Sequence, residues 1–137
     1  MSSRPVWHRP RPERTNNSTG STELRGLTLP CLDFEATRHF YVEVIGLVVK
    51  SQGKQHLLLD GGGCRIVLMD AGRVPGFSRS DGQGIYMELS VADLGEMERR
   101  LVAHQLRVFR PRADSDGRLL TVQDPEGNLI NLVTQES

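Results

Sequence analysis

Hydrophobic positions along the chain switch between two periods. Leu27, Leu29 and Cys31 alternate with Thr28 and Pro30, which predicts a strand over residues 27–31. Asp33 stands next in an N-cap position. Phe34, Tyr41, Val44 and Ile45 then recur near helical spacing as far as Gly46, a residue suited to close a helix. Residues 47–49, 56–59 and 65–69 read as short strands, the last two joined by a hairpin turn at Asp60-Gly61-Gly62-Gly63. The same order then returns. Ile85, Met87, Leu89 and Val91 alternate with Tyr86, Glu88 and Ser90, and Asp93 caps a helix with Leu94, Met97 and Leu101 at i, i+3 and i+7. Residues 106–110, 119–123 and 129–133 read as strands, separated by turns at Asp114-Ser115-Asp116-Gly117 and Asp124-Pro125-Glu126-Gly127-Asn128. Leu29 corresponds to Leu89, Cys31 to Val91, Asp33 to Asp93 and Ile66 to Ile130. One strand–helix–three-strand unit is therefore written twice, and the expected class is α+β.

Composition divides the chain further. Residues 1–22 hold four arginines against Glu13, three prolines and almost no aliphatic side chains. Such a segment cannot bury enough surface to offset its ordering entropy, so it reads as a disordered Arg/Pro-rich arm that folding does not need. It lacks the apolar core of a secretory signal. A single domain then covers residues 23–137, with module one at 24–70, a Gly/Ser/Arg/Asp-rich linker at 71–84 and module two at 85–135. Seventeen basic and seventeen acidic side chains cancel, which argues against nucleic acid or anionic lipid as a bulk electrostatic partner. No apolar run is long enough for a membrane span. Cys31 and Cys64 are too few for a disulfide framework or a zinc cluster and read as two buried free thiols, compatible with a reducing cytoplasm. His39, His56 and His104 lack HxxxH or HxH spacing and read as structural. The glycine run after Asp60 is followed by neither Lys-Ser/Thr nor a helix, so it reads as a turn and not as a phosphate cradle.

Two motifs stand at matching places in this duplication. FYVEVIGLVV (residues 40–49) sets an aromatic pair ahead of an aliphatic-Gly turn, and QDPEGNLINLV (residues 123–133) forms a closing strand. With the βαβββ repeat, they resemble the vicinal oxygen chelate superfamily, which includes glyoxalase I, bleomycin-resistance proteins and extradiol dioxygenases. The resemblance spans about residues 24–135. It implies two βαβββ modules forming an incompletely closed barrel around a ligand groove, with helices outside. It also implies a homodimer, an expectation that open sheet edges support independently.

The family's enzymes hold a divalent metal on four side chains in that groove. The resemblance places those positions on Gly26, Val67, Tyr86 and Asn131. Glycine and valine offer no donor, a phenol ligates only when ionised, and a carboxamide is a weak neutral ligand. No metal or other cofactor is expected, and no residue is assigned a metal-ligand or catalytic role. Strand parity sends the oily residues to the helices and leaves Thr28, Arg65, Val67, Tyr86, Glu88 and Asn131 to line the groove, a mixed surface of the kind that holds small molecules. The plainer alternatives are a Glu88–Arg65 ion pair across the barrel and Tyr86 as a core aromatic with its hydroxyl satisfied. The expected function is metal-free binding of a small, partly apolar molecule. The competing class is an enzyme, a lyase, isomerase or dioxygenase, that recruits metal by unexpected ligands or uses Glu88 as base and Tyr86 as acid.

Overall fold

The computed structural model describes residues 21–77, 84–110 and 119–135. Residues 1–20 of the arm, residues 78–83 of the linker and the turn at Asp114–Gly117 lie outside them. Module one runs β1 (Gly26–Cys31), α1 (Phe34–Arg38) continuing into a π-helical segment (His39–Ile45), β2 (Val48–Gln52), β3 (His56–Asp60) and β4 (Arg65–Asp70). A 3₁₀ turn (Ala71–Arg73) follows. Module two runs β5 (Tyr86–Val91), α2 (Leu94–Ala103), β6 (Val108–Phe109), β7 (Leu119–Gln123) and β8 (Leu129–Thr134). The sheets have equivalent orders, β1-β4-β3-β2 and β5-β8-β7-β6, with the first strand of each module parallel to its last. They share no paired strands, so the barrel is not closed within the described residues.

Local chemistry fixes these elements. Asp33 Oδ1 accepts from Ala36 N at 3.1 Å and Asp93 Oδ1 from Glu96 N at 3.0 Å, so both aspartates cap their helices. The first helix widens beyond His39, and the five-residue bond from Gly46 N to Tyr41 O ends it. This wide turn puts Phe40, Tyr41, Val44 and Ile45 together on the buried side, where Phe40 and Tyr41 pack edge-to-face at 4.9 Å. Gly46 closes the segment at φ 94°, a conformation that suits glycine. Leu47 N is drawn to Tyr41 O, so β2 begins one residue later than periodicity predicts. Similarly, Leu106 N bonds to Leu101 O at the helix exit, and β6 shrinks from the predicted residues 106–110 to Val108–Phe109.

The core is one cluster. Leu29, Cys31, Leu57, Leu59, Ile66 and Leu68 of the first sheet and Leu120, Val122, Ile130 and Leu132 of the second bury the helix-facing sides. Met97 and Leu101 of α2 join Phe40, Tyr41, Val44 and Ile45 there. Cys31 is fully buried, and its desolvation, reinforced by nearby Glu126, pushes the thiol up to about 12. Cys64 departs from the expectation of two buried thiols: it is free but only half-buried, because it sits in the β3–β4 turn and not under a helix.

Candidate functional site

The opposite side of each sheet is open. On the first, the parallel register sets Thr28 beside Val67 and Gly26 beside Arg65, and the antiparallel register sets Arg65 beside Asp60. A Cβ at position 26 would lie 2.8 Å from the Arg65 carbonyl oxygen, so the glycine permits the close β1–β4 approach. On the second sheet, Glu88 stands beside Asn131 and Tyr86 beside Leu129. Thr121 Oγ1 donates to Asn131 Oδ1 at 2.7 Å, which orients the carboxamide. Tyr86 is 64% exposed and is therefore not a core aromatic. Arg65 and Glu88 lie on different sheets and make no ion pair with each other; the described ion pairs are Arg99–Glu96 and Arg110–Glu98 on the second module.

These residues do not suit a divalent metal. Position 26 has no side chain, Val67 has no donor atom, Tyr86 is an exposed phenol, and the Asn131 oxygen already accepts from Thr121. Among the described residues, no three or more His, Cys, Asp or Glu side chains gather as a metal cluster.

Two cavities border the β3–β4 turn. One, of about 630 Å³, lies where the β3–β4 turn meets the start of α2 and is lined by Gly61, Gly62, Glu88, Asp93, Met97 and Arg100 among others. The other, of about 440 Å³, lies at the turn end of the first sheet and includes Arg65. Of the six groove residues expected from sequence, Glu88 lines the first cavity and Arg65 the second. Thr28, Val67, Tyr86 and Asn131 line neither.

The turn expected at Asp124-Pro125-Glu126-Gly127-Asn128 is present, with Gly127 N bonded to Asp124 O at 3.1 Å. It is also a buried polar clamp between modules, a role that the turn signal alone does not announce. Glu126 is 4% exposed; its Oε1 accepts from Leu32 N at 2.9 Å and its Oε2 from Asp33 N at 2.7 Å, with Thr37 Oγ1 at 3.0 Å. Asp124 Oδ1 accepts from Glu126 N and Asn128 N, and Oδ2 from Asn128 Nδ2 and the Tyr41 hydroxyl, the last at 2.6 Å. Burial and the Asp124 charge hold the Tyr41 phenol well above its ordinary range, so it stays protonated and donates. Asn128 Oδ1 accepts from Ile85 N at the entry to β5. The repeat itself carried a usable signal. Four residues (61–64) separate the paired Asp60 and Arg65, whereas five (124–128) separate Gln123 and Leu129. The shorter turn has only glycines and Cys64, with no counterpart of either clamp carboxylate. The larger cavity lies at that shorter turn.

The profile of the Glyoxalase/Bleomycin resistance protein/Dioxygenase superfamily matches residues 24–132. The chain belongs to this superfamily. Its fold is that of the glyoxalase-like proteins, as solved structures corroborate. An antibiotic-binding protein from Streptomyces sp. CB03234, TnmS3, superposes with a TM-score of 0.67 at 24% identity, covering 86% of this chain and 100% of that one. A glyoxalase/bleomycin resistance protein from the same organism gives 0.62 at 26% identity over 81% and 99% of the two chains. The oxidase ChaP-H2 gives 0.65 at 18% identity over 85% and 96%. The comparison with curated protein sequences finds no match. This glyoxalase-like chain has no helix, among the described residues, long and apolar enough to cross a membrane.

Proposed function

We propose that this glyoxalase-like chain binds a small, partly apolar molecule in its groove without a metal. Thr28, Arg65, Val67, Tyr86, Glu88 and Asn131 form the binding surface. The observation that carries the reading is that Gly26, Val67, Tyr86 and Asn131, where the family resemblance implies the metal-ligand positions, include no good divalent-metal donor. The likeness to an antibiotic-binding protein and to a bleomycin resistance protein supports the same class of function. Tyr86 supplies an exposed ring for stacking and a hydroxyl for one hydrogen bond; Asn131 supplies Nδ2 as a donor held in place by Thr121.

A ligand found by screening tests this. Tyr86→Ala and Asn131→Ala should each weaken it by roughly 5- to 150-fold, corresponding to about 1–3 kcal/mol for a lost buried contact. Both variants should stay folded, because the helix-facing side of the sheet is untouched. Unchanged affinity in both overturns the site.

We also propose that the protein is a cytoplasmic homodimer. β1, β2, β5 and β6 are outermost strands, edges that a second copy covers. Light scattering at micromolar concentration should give twice the chain mass; a monomer contradicts the dimer.

A further inference from the structure

The smaller cavity, at the turn end of the first sheet, has an uneven charge. Arg25, Lys50 and Arg65 line it against a single carboxylate, Asp60, with Leu58 as its apolar part. Among the described residues none of the three cations makes an ion pair or a side-chain hydrogen bond, although the chain as a whole is neutral. Asp60 Oδ1 accepts from Gly62 N at 2.9 Å, so this carboxylate is engaged in shaping the turn.

The backbone brings the cations together by three separate devices. Arg65 opens β4 opposite Asp60, and its N–H donates to Arg25 O at 3.1 Å, which fixes Arg25 at the mouth of β1. Gly26, next to Arg25, allows β1 and β4 to approach at that point. Lys50 is the extra residue of a β-bulge: Val49 pairs with Leu59 and Ser51 with Leu58, leaving Lys50 out of the ladder and against the cavity. Unpaired arginines with planar donor forks, beside a lysine point charge, suit a carboxylate, sulfonate or phosphate group. Beyond Leu58 the same sheet face continues through Val67 and Met69, which are half-buried and apolar.

From this arrangement we propose that the ligand is a small amphipathic organic anion. Its oxyanion lodges among Arg25, Lys50 and Arg65, and its apolar body lies along the first sheet toward Val67. The inference rests on the groove reading above and adds the ligand's charge and orientation.

Two fluorescent probes with one aromatic frame test it on the full chain. 1-Anilinonaphthalene-8-sulfonate carries the anion, and N-phenyl-1-naphthylamine lacks it. The sulfonate should bind more tightly at about 50 mM salt, and its advantage should shrink at about 500 mM, where screening is strong. Arg25→Gln and Lys50→Gln should each weaken the sulfonate by about 3- to 5-fold and together by about 10-fold, the range expected for exposed charge pairs. The neutral probe should stay within about twofold in both, and the control Arg99→Gln on α2 should change neither probe. If both probes bind equally, or if the two variants leave the sulfonate unaffected, the anion assignment is overturned while the groove reading stands. If neither probe binds, the groove reading falls and the anion assignment falls with it.

Discussion

Asp124→Ala is expected to destabilise the protein by roughly 3–5 kcal/mol, measured by chemical denaturation. The carboxylate accepts four hydrogen bonds in a site only 4% exposed. Alanine leaves Glu126 N, Asn128 N, Asn128 Nδ2 and the Tyr41 hydroxyl without that partner. Stranded buried donors cost more than the bonds themselves contributed, because each loses its water without replacement. Tyr41 supplies the control. In the parent, Tyr41→Phe removes one bond and should cost about 1–2 kcal/mol. In the Asp124→Ala background it removes a hydroxyl that no longer has its partner and should cost less, so the double-mutant cycle should show coupling of at least about 1 kcal/mol. Additive losses would mean that the 2.6 Å contact carries no energy.

Glu126→Ala should cost roughly 2–4 kcal/mol and should act mainly on the contact between modules. Its two oxygens hold Leu32 N and Asp33 N at the start of α1, and Thr37 adds its hydroxyl, which it shares with Asp33 O. The cost falls below that of Asp124→Ala because the Leu32 and Asp33 amides are only part-buried and water can reach them. Glu126→Gln keeps one acceptor and should lose about half as much. Amide hydrogen exchange should locate the effect: Leu32, Asp33 and Thr37 should gain exchange more than the β6–β7 pairs do. A uniform rise across both sheets would show that the clamp has no special part in joining the modules.

Much of this architecture is legible in the sequence because it is local. Asp33 and Asp93 cap helices through amides three residues on, and Gly46 ends its helix through its own φ. The buried alternation of Leu29 and Cys31, or of Ile66 and Leu68, needs only a period of two and one covered face. The rest depends on partners far along the chain. Tyr41 meets Asp124 across 83 residues and Leu32 meets Glu126 across 94, so the local signal of the closing turn gives the turn but not the clamp. The π-helical widening lies where Tyr41 turns inward to that clamp, and no periodicity rule announced it. Of the groove residues, parity gave the faces of Thr28, Val67, Glu88 and Asn131 but could not give the cavities. The larger of the two described lies at a turn that is one residue shorter than its repeat and has no counterpart of the two clamp carboxylates. Lys50 escaped because a bulge removes it from the alternation that parity arguments use.

In the proposed function, the groove holds its ligand through protein side chains without a metal. The most direct measurement is an amide and side-chain NMR titration of the chelator-stripped protein with the best hit of a small-molecule screen. Perturbations are predicted to gather on Thr28, Val67, Tyr86 and Asn131, including the Asn131 carboxamide, with unchanged affinity after divalent metal is returned. A hit that binds only once stoichiometric zinc, nickel, iron or manganese is present, or whose perturbations lie away from both open sheet faces, would contradict the account.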